Sequence, residues 1–292
     1  MRIELKRGGL AAAVDTKGGE LVSFRDEQGT EYIWSGDPSY WPGRNPNLFP
    51  IVGSLKEGRV RIGGRSYEMG RHGFARQMEF SLAEQGEDFA VLELCQSEET
   101  LEQYPFPFVL RVRHQLTENG FETRFEIRNP GEEELLFCVG GHTAFNCPMR
   151  AGERFEDYRL VFDQVEDACP AVPTAQGLLG GGTGPALDHS DTICLDHAVF
   201  DQLDTLIFEG LRSKGVTLRH KDGGRGVHMD FSEFPMVAFW TMANGNAPYI
   251  CLEPWHGCAA REDESGDFAD KPHVIRLAPG AEKRLSYRVE LR

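Results

Sequence analysis

The chain reads as an all-β protein, and three observations carry that reading. Short apolar or alternating runs recur along its whole length, each bounded by Gly, Pro, Asn or Asp. No long stretch keeps the 3.6-residue apolar period of an amphipathic helix. The alternation of strand with long helix that a doubly wound nucleotide-binding fold needs is also missing.

In order, Leu10 to Val14 and Glu20 to Phe24 read as strands separated by Gly18-Gly19, and Glu31 to Trp34 as a further extended run. Pro38 to Gly53 holds four prolines and several aromatics, so it reads as an irregular segment packed against the body, with Arg44 its only charge. Arg44 could be a surface residue, the partner of a carboxylate or a ligand contact. Arg59 to Tyr67 reads as a tight hairpin, because Gly63-Gly64 supplies the positive φ angles of a primed turn. A strand pair is expected at Met78 to Leu82 and Phe89 to Leu94. Val109 to Leu116 and Phe121 to Ile127 alternate around Glu118-Asn119-Gly120, which predicts a long hairpin with one buried and one wet face. Leu135 to Val139 reads as one strand delivering Gly140-Gly141-His142.

Arg159 to Phe162 is strand-like, and Cys169 to Asp191, rich in Gly and Pro, reads as irregular: a linker or a long excursion of one domain. Its Gly180-Gly181-Gly182 reads as a flexible turn. Further strands are expected ending near Glu209 and at 216–218, 227–231, 236–240, 249–252, 274–277 and 284–291.

Composition narrows the function. With 31 basic and 46 acidic residues the formal charge is -15, which argues against a nucleic-acid or anionic-membrane partner and says nothing against a neutral substrate. Seven cysteines, none as Cys-x-x-Cys, favour reduced thiols and a cytoplasmic setting. Met1 to Lys6 turns polar before any apolar segment develops, so no leader is expected, and no apolar run is long enough for a bilayer. No Walker or dinucleotide glycine motif occurs, so no nucleotide cradle is expected; no His-Glu-x-x-His occurs, so no metal is expected; and no Gly-x-Ser-x-Gly elbow occurs.

Three stretches place an ionisable residue beside an apolar run with Gly or Pro adjacent: Gly70 to Arg76 around His72, Gly140 to Pro148 around His142, and Tyr249 to Gly257 around Glu253. Such placement is costly unless partners or function justify it. A histidine and a carboxylate near an apolar wall make an acid–base pair that works near neutral pH. Equally, Glu253 could be a satisfied carboxylate paired with an arginine.

Taken together, Pro46-Asn47-Leu48-Phe49-Pro50, His72-Gly73-Phe74-Ala75-Arg76, Gly141-His142-Thr143-Ala144-Phe145 and Leu252-Glu253-Pro254-Trp255 resemble the aldose 1-epimerase (galactose mutarotase-like) family, in its bacterial LacX-like branch. The resemblance covers nearly the whole chain. It implies a single domain over 1–292, a galactose mutarotase-like β-supersandwich with a cleft on its concave side, and anomer interconversion of an aldose without a cofactor. Glu253 would then be the general base at the anomeric hydroxyl and His142 the general acid at the ring oxygen, with His72, Asp204 and Arg44 binding substrate. Trp255, Trp41 or Phe49 could face the sugar or pack the core. His72 continues as Gly-Phe-Ala-Arg, a form shared with relatives resembling hexose-6-phosphate epimerases, so the partner is a monosaccharide or a sugar phosphate, with Arg71, Arg76 and Arg44 available to an anion. Rival readings are a non-catalytic carbohydrate-binding or sensing protein, or a lyase.

Overall fold

A computed structural model describes residues 1–292, the surroundings of Gly181 excepted. Two large antiparallel sheets dominate. One has nine strands, in the order 187–194, 158–168, 215–220, 227–230, 282–291, 120–128, 109–116, 89–95 and 81–85. The other runs 139–140, 249–256, 236–240, 205–209, 171–173 and 179–183, with 143–146 also paired to 249–256. A three-stranded sheet at the start of the chain (2–7, 10–15, 20–25) and the 59–62/65–68 hairpin complete the architecture, with a two-stranded pair at 135–137 and 275–277.

The expected hairpins follow from local chemistry. Gly63 and Gly64 both hold positive φ between Arg59–Ile62 and Arg65–Glu68. Along Val109–Leu116 every second residue is buried, as period-two patterning requires of a strand with one covered face.

The two large sheets meet through aromatic side chains. Phe162 of the nine-stranded sheet lies 5.8 Å from both Phe208 and Phe239 of the other, with edge-on geometry that suits the ring quadrupoles. A continuous buried cluster runs from Ile3 to Val289. In Tyr249–His256, Ile250 and Leu252 join this core. Tyr249 and Cys251, on the alternate face, join a separate cluster with Trp34 and Ala144. Because strand side chains alternate, Glu253 and Trp255 lie on the same face of the strand as Tyr249 and Cys251, with Trp255 packed into the main cluster. The same rule sets Thr205 and Ile207 toward the cleft, Ile207 also packing into the main cluster, while Leu206 and Phe208 lie on the opposite face of their strand.

Some elements differ from expectation. The 169–191 segment is largely strand: Ala171–Pro173, Leu179–Thr183 and Leu187–Cys194. The triple glycine expected as a turn falls in Leu179–Thr183, an edge strand, where Gly and Pro are tolerated because one side needs no ladder partner. Leu135–Gly140 is two strands instead of one. Leu135–Phe137 pairs with Ile275–Leu277, and Val139–Gly140 pairs with Trp255 and His256. A short helix at His197–Leu203, capped by the Asp196 side chain, and another at Glu98–Gln103, capped by Ser97, are too brief for a helical period to register. The strand expected at 78–82 starts later, at Ser81, because Ala75–Gln77 forms a 3-10 turn.

Candidate active site

The chain change between Val139–Gly140 and Thr143–Asn146 builds the centre of the site. Both short strands pair with Tyr249–His256, Gly140 opposite Trp255 and Thr143 opposite Leu252. The two residues between them bulge out of the ladder, with only the Gly141 N–H returning to the Pro254 carbonyl at 3.0 Å. Glycine is needed at 140 and 141 for close approach: a Cβ would lie 2.7 Å from the Pro254 oxygen at the first and 2.6 Å from the Tyr287 ring at the second. His142 is thereby set beside Glu253, over a hundred residues further along, with Nε2 3.3 Å from Oε2. Cross-strand from Glu253 stands Ala238, a small side chain that leaves room above the carboxylate.

Both members of this pair are buried, at 6% and 1% exposure. Burial penalises whichever form is charged. It pushes the Glu253 carboxyl well above the ordinary carboxylate range, with the Asp204 charge adding to the rise, and it lowers His142 to about 3, with Arg76 adding to the fall. His142 Nδ1 and Glu253 Oε2 have no hydrogen-bond partner. Unpartnered buried polar atoms are rare in a folded chain and cost stability.

His72 is held in a backbone conformation unusual for a non-glycine residue, φ +67°. A reciprocal pair of hydrogen bonds fixes it: its N–H donates to the Gly53 carbonyl at 2.9 Å, and its Nδ1 accepts the Gly53 N–H at 3.1 Å. An accepting Nδ1 leaves the proton of the neutral ring on Nε2, so His72 can offer a donor. Burial, then the charges of His142, Arg76 and Arg71, hold its pKa well below the usual imidazole value. The His72 ring meets His142 edge-on at 5.5 Å.

Asp204 also has positive φ, +63°, where the helix His197–Leu203 hands over to Thr205–Glu209. Its carboxylate accepts from Thr205 Oγ1 at 2.9 Å and Trp240 Nε1 at 3.3 Å. His142, Glu253, His72 and Asp204 line one cleft of about 210 Å³, together with Trp41, Trp240, Trp255, Arg71 and Arg76. That volume lies below the usual range for drug-sized ligands and suits one small ring. A larger surface depression of about 800 Å³, lined by Glu57, Arg59 and Glu68, brings together no acid–base pair.

Arg44 is not among the residues lining this cleft. Its Nε donates to the Ser35 carbonyl at 2.6 Å, and its backbone N–H, like that of Asn45, goes to the half-buried Glu20 carboxylate. These contacts tie the Pro-rich segment down, and the guanidiniums lining the cleft are those of Arg71 and Arg76. Of the aromatic candidates, Trp41 stacks on His142 at 5.0 Å and Trp255 lines the cleft. Phe49 is fully buried among Phe74, Phe108 and Phe137. Trp240, 5.7 Å from His142, was not singled out by sequence; the only signal was a Trp closing an otherwise apolar strand.

Donor atoms of His142, Cys251 and Glu253 lie within 4.8 Å of one another, a spacing a cation could bridge. Burial holds the Cys251 thiol well above its usual range, so that ligand would have to lose its proton first.

The pKa shifts make a stability prediction. Between pH 4.5 and the raised value of Glu253, the folded state holds a proton that the unfolded chain has released, so stability falls as pH rises through that window. Glu253→Gln removes this cost. In denaturant titrations the variant is expected to exceed the parent in stability at pH 8 by about 1–2 kcal/mol and to match it near pH 4. Equal stability at both pH values would show that Glu253 is not held protonated by burial.

A family profile described as aldose 1-epimerase matches residues 1–289. Two LacX proteins of Lactococcus lactis subsp. lactis, chromosomal and plasmid, are each 36% identical, the alignments covering 100% of this chain and 99% of theirs. Among solved structures, a galactose mutarotase related enzyme from Lactobacillus acidophilus superposes with a TM-score of 0.94 at 30% identity, covering 100% of this chain and 97% of that one. A galactose mutarotase-like protein from Lactobacillus casei ATCC 334 gives 0.92 at 27% identity, covering both chains fully. The all-β architecture is thus the galactose mutarotase-like fold.

Proposed function

The chain belongs to the aldose 1-epimerase family, and on that premise we propose that residues 1–292 act as one cytoplasmic domain interconverting the α and β anomers of an aldose. The observation that supports this best is the 3.3 Å approach of His142 Nε2 to Glu253 Oε2 in a cleft of monosaccharide scale. Anomer exchange needs a proton removed at one oxygen and a proton delivered at another on the same small ring, which one carboxylate and one imidazole can do together.

The step starts from the carboxylate–imidazolium form of the pair, reached when the proton that burial places on Glu253 passes to His142 across the 3.3 Å between them. Glu253 then takes the proton of the anomeric hydroxyl while His142 gives its proton to the ring oxygen, the bond from C1 to the ring oxygen breaks and C1 becomes a carbonyl. Rotation about C1–C2 offers the other carbonyl face. On closure His142 recovers its proton from the attacking hydroxyl, and Glu253 protonates the former carbonyl oxygen. The pair carries one proton throughout. Ring opening turns a carboxylate and an imidazolium into a carboxylic acid and a neutral imidazole, which are the two forms burial favours. The cleft thus stabilises the state that accompanies the open-chain aldehyde. His72 would donate from Nε2 to a sugar oxygen, Asp204 would accept from sugar hydroxyls, and Trp41, Trp240 or Trp255 would cover the apolar face of the ring. Two protons move and no electrons, so the reaction calls for no redox cofactor.

Anomer-exchange NMR on a panel of neutral and anionic aldoses tests this reading, with catalysed exchange above the buffer rate expected for at least one sugar. Binding without any acceleration by folded protein would remove the enzymatic role and leave a carbohydrate-binding one.

A further inference from the structure

A thiol completes a three-donor cluster with the acid–base pair. One donor atom each from His142, Cys251 and Glu253 lies within 4.8 Å of the other two, and all three side chains are buried. Cys251 and Glu253 stand two residues apart in Tyr249–His256, so strand alternation puts both on one face. Thr143–Asn146 runs alongside with Ala144 opposite Cys251, and the bulge just before it brings His142 to the same place. No local motif announces such a set, because the imidazole comes from a distant segment of the chain.

Zinc in a tetrahedral site sits about 2.0–2.1 Å from nitrogen and oxygen and about 2.3 Å from a thiolate, which spaces the donor atoms roughly 3.3–3.6 Å apart. The His142–Glu253 edge already has this length, 3.3 Å from Nε2 to Oε2. The Cys251 edges, 4.8 Å at most, must close by roughly an ångström, within reach of side-chain torsions. Glu253 Oε2 holds no hydrogen bond that a metal would have to break. Thiol, imidazole and carboxylate together suit zinc-like ions, whereas magnesium and calcium take oxygen ligands. Charge balances as well. The buried thiol and carboxyl enter protonated and the imidazole neutral, so one divalent cation replaces two protons released to solvent and the net charge of the cluster is unchanged. Arg71 and Arg76, which line the same cleft, therefore meet no added positive charge.

We propose that His142, Cys251 and Glu253 form an inhibitory site for a thiophilic divalent cation of the zinc type, which shuts the cleft by taking both members of the acid–base pair as ligands. With the carboxylate and the imidazole nitrogen on the metal, Glu253 has no free base to offer and His142 no proton to give. Exchange stops while the ion stays and resumes when it leaves, so the ion is an off switch and not a participant in the reaction. The inhibition rests on the reading of the cleft as an anomer-exchange site; the binding does not. Cys251 is the ligand that gives the site its selectivity, since it alone of the three is soft.

The test titrates chelator-treated protein with Zn²⁺, Co²⁺ and Mg²⁺, following heat and, for Co²⁺, absorption. Zn²⁺ and Co²⁺ are expected to bind where Mg²⁺ does not, and Co²⁺ to show a thiolate-to-metal charge-transfer band with the strong visible bands of tetrahedral coordination. Cys251→Ala is expected to abolish that band and to weaken Zn²⁺ binding about tenfold or more. Cys251→Ser, closer in volume, is read the same way and guards against a packing loss in the smaller variant. Because Cys95, Cys169 and Cys194 are exposed thiols elsewhere on the chain, the difference between parent and variant decides the site. In exchange NMR, Zn²⁺ but not Mg²⁺ is expected to inhibit the parent in competition with sugar, with full recovery on adding chelator. The Cys251 variants are expected to keep metal-free exchange and to need about tenfold or more Zn²⁺ for the same inhibition. Failure of Zn²⁺ to bind, or a charge-transfer band and affinity unchanged in both variants, overturns the site. Binding that depends on Cys251 but leaves exchange running overturns the inhibition. Cys251-dependent binding in a protein that turns over no sugar supports the site and refutes the reaction separately.

Discussion

Glu253→Gln is expected to lower kcat for anomer exchange by about 10²–10⁴, the usual worth of a positioned general base. The substitution nearly preserves shape and removes the proton-accepting function. Glu253 lies within Tyr249–His256, with Ala238 opposite it on one side and the Gly141 N–H bonded to the next residue's carbonyl on the other. The loss should therefore fall on kcat with KM changed little, since the amide can still hydrogen-bond a sugar hydroxyl. Exchange NMR at saturating sugar measures it, and kcat within threefold of the parent would remove Glu253 from the role of base. Set beside the expected gain in stability at pH 8, the variant separates chemistry from folding, because a merely structural carboxylate would lose both or neither.

His142→Asn is expected to cost a similar 10²–10⁴ in kcat, because an amide cannot deliver a proton to the ring oxygen near neutral pH. Its pH profile adds a test that Glu253 does not. With His142 held to about 3 by burial, the parent rate should show no fall centred near pH 6.5, where an ordinary imidazole titrates. Any limits seen in the profile belong to the pair and not to one residue, since the two sites are 3.3 Å apart and titrate together. A parent profile that bends at 6.5, together with an Asn variant of full activity, would place the acid elsewhere. The stacking of His142 on Trp41 is lost in the variant, so some rise in KM is expected as well.

Legibility followed range. The 59–68 and 109–128 hairpins were readable because their signals, Gly-Gly or Asn-Gly turns between alternating runs, act over a few residues. His72, His142 and Glu253 could be singled out for the same reason: each is an ionisable residue in an apolar run with Gly or Pro beside it. The 171–183 hairpin was hidden because glycine and proline carry the same composition in a loop and in an edge strand, and only the neighbouring strand at Thr205–Glu209 tells them apart.

By itself, then, the amino-acid order determined an all-β chain, its main turns and three residues worth watching, because period and turn chemistry are local properties. Tertiary structure decided which of them meet. Cross-strand register set His142 against Glu253, the Gly53 backbone chose the tautomer of His72, and strand alternation turned Trp240 into the cleft. The Arg44 Nε bonds the Ser35 carbonyl, and the cations lining the cleft are Arg71 and Arg76. Burial, which shifts the carboxyl up and the imidazole down, exists only once both sheets are assembled, so the proton inventory of the pair belongs to the fold and not to any segment of the chain.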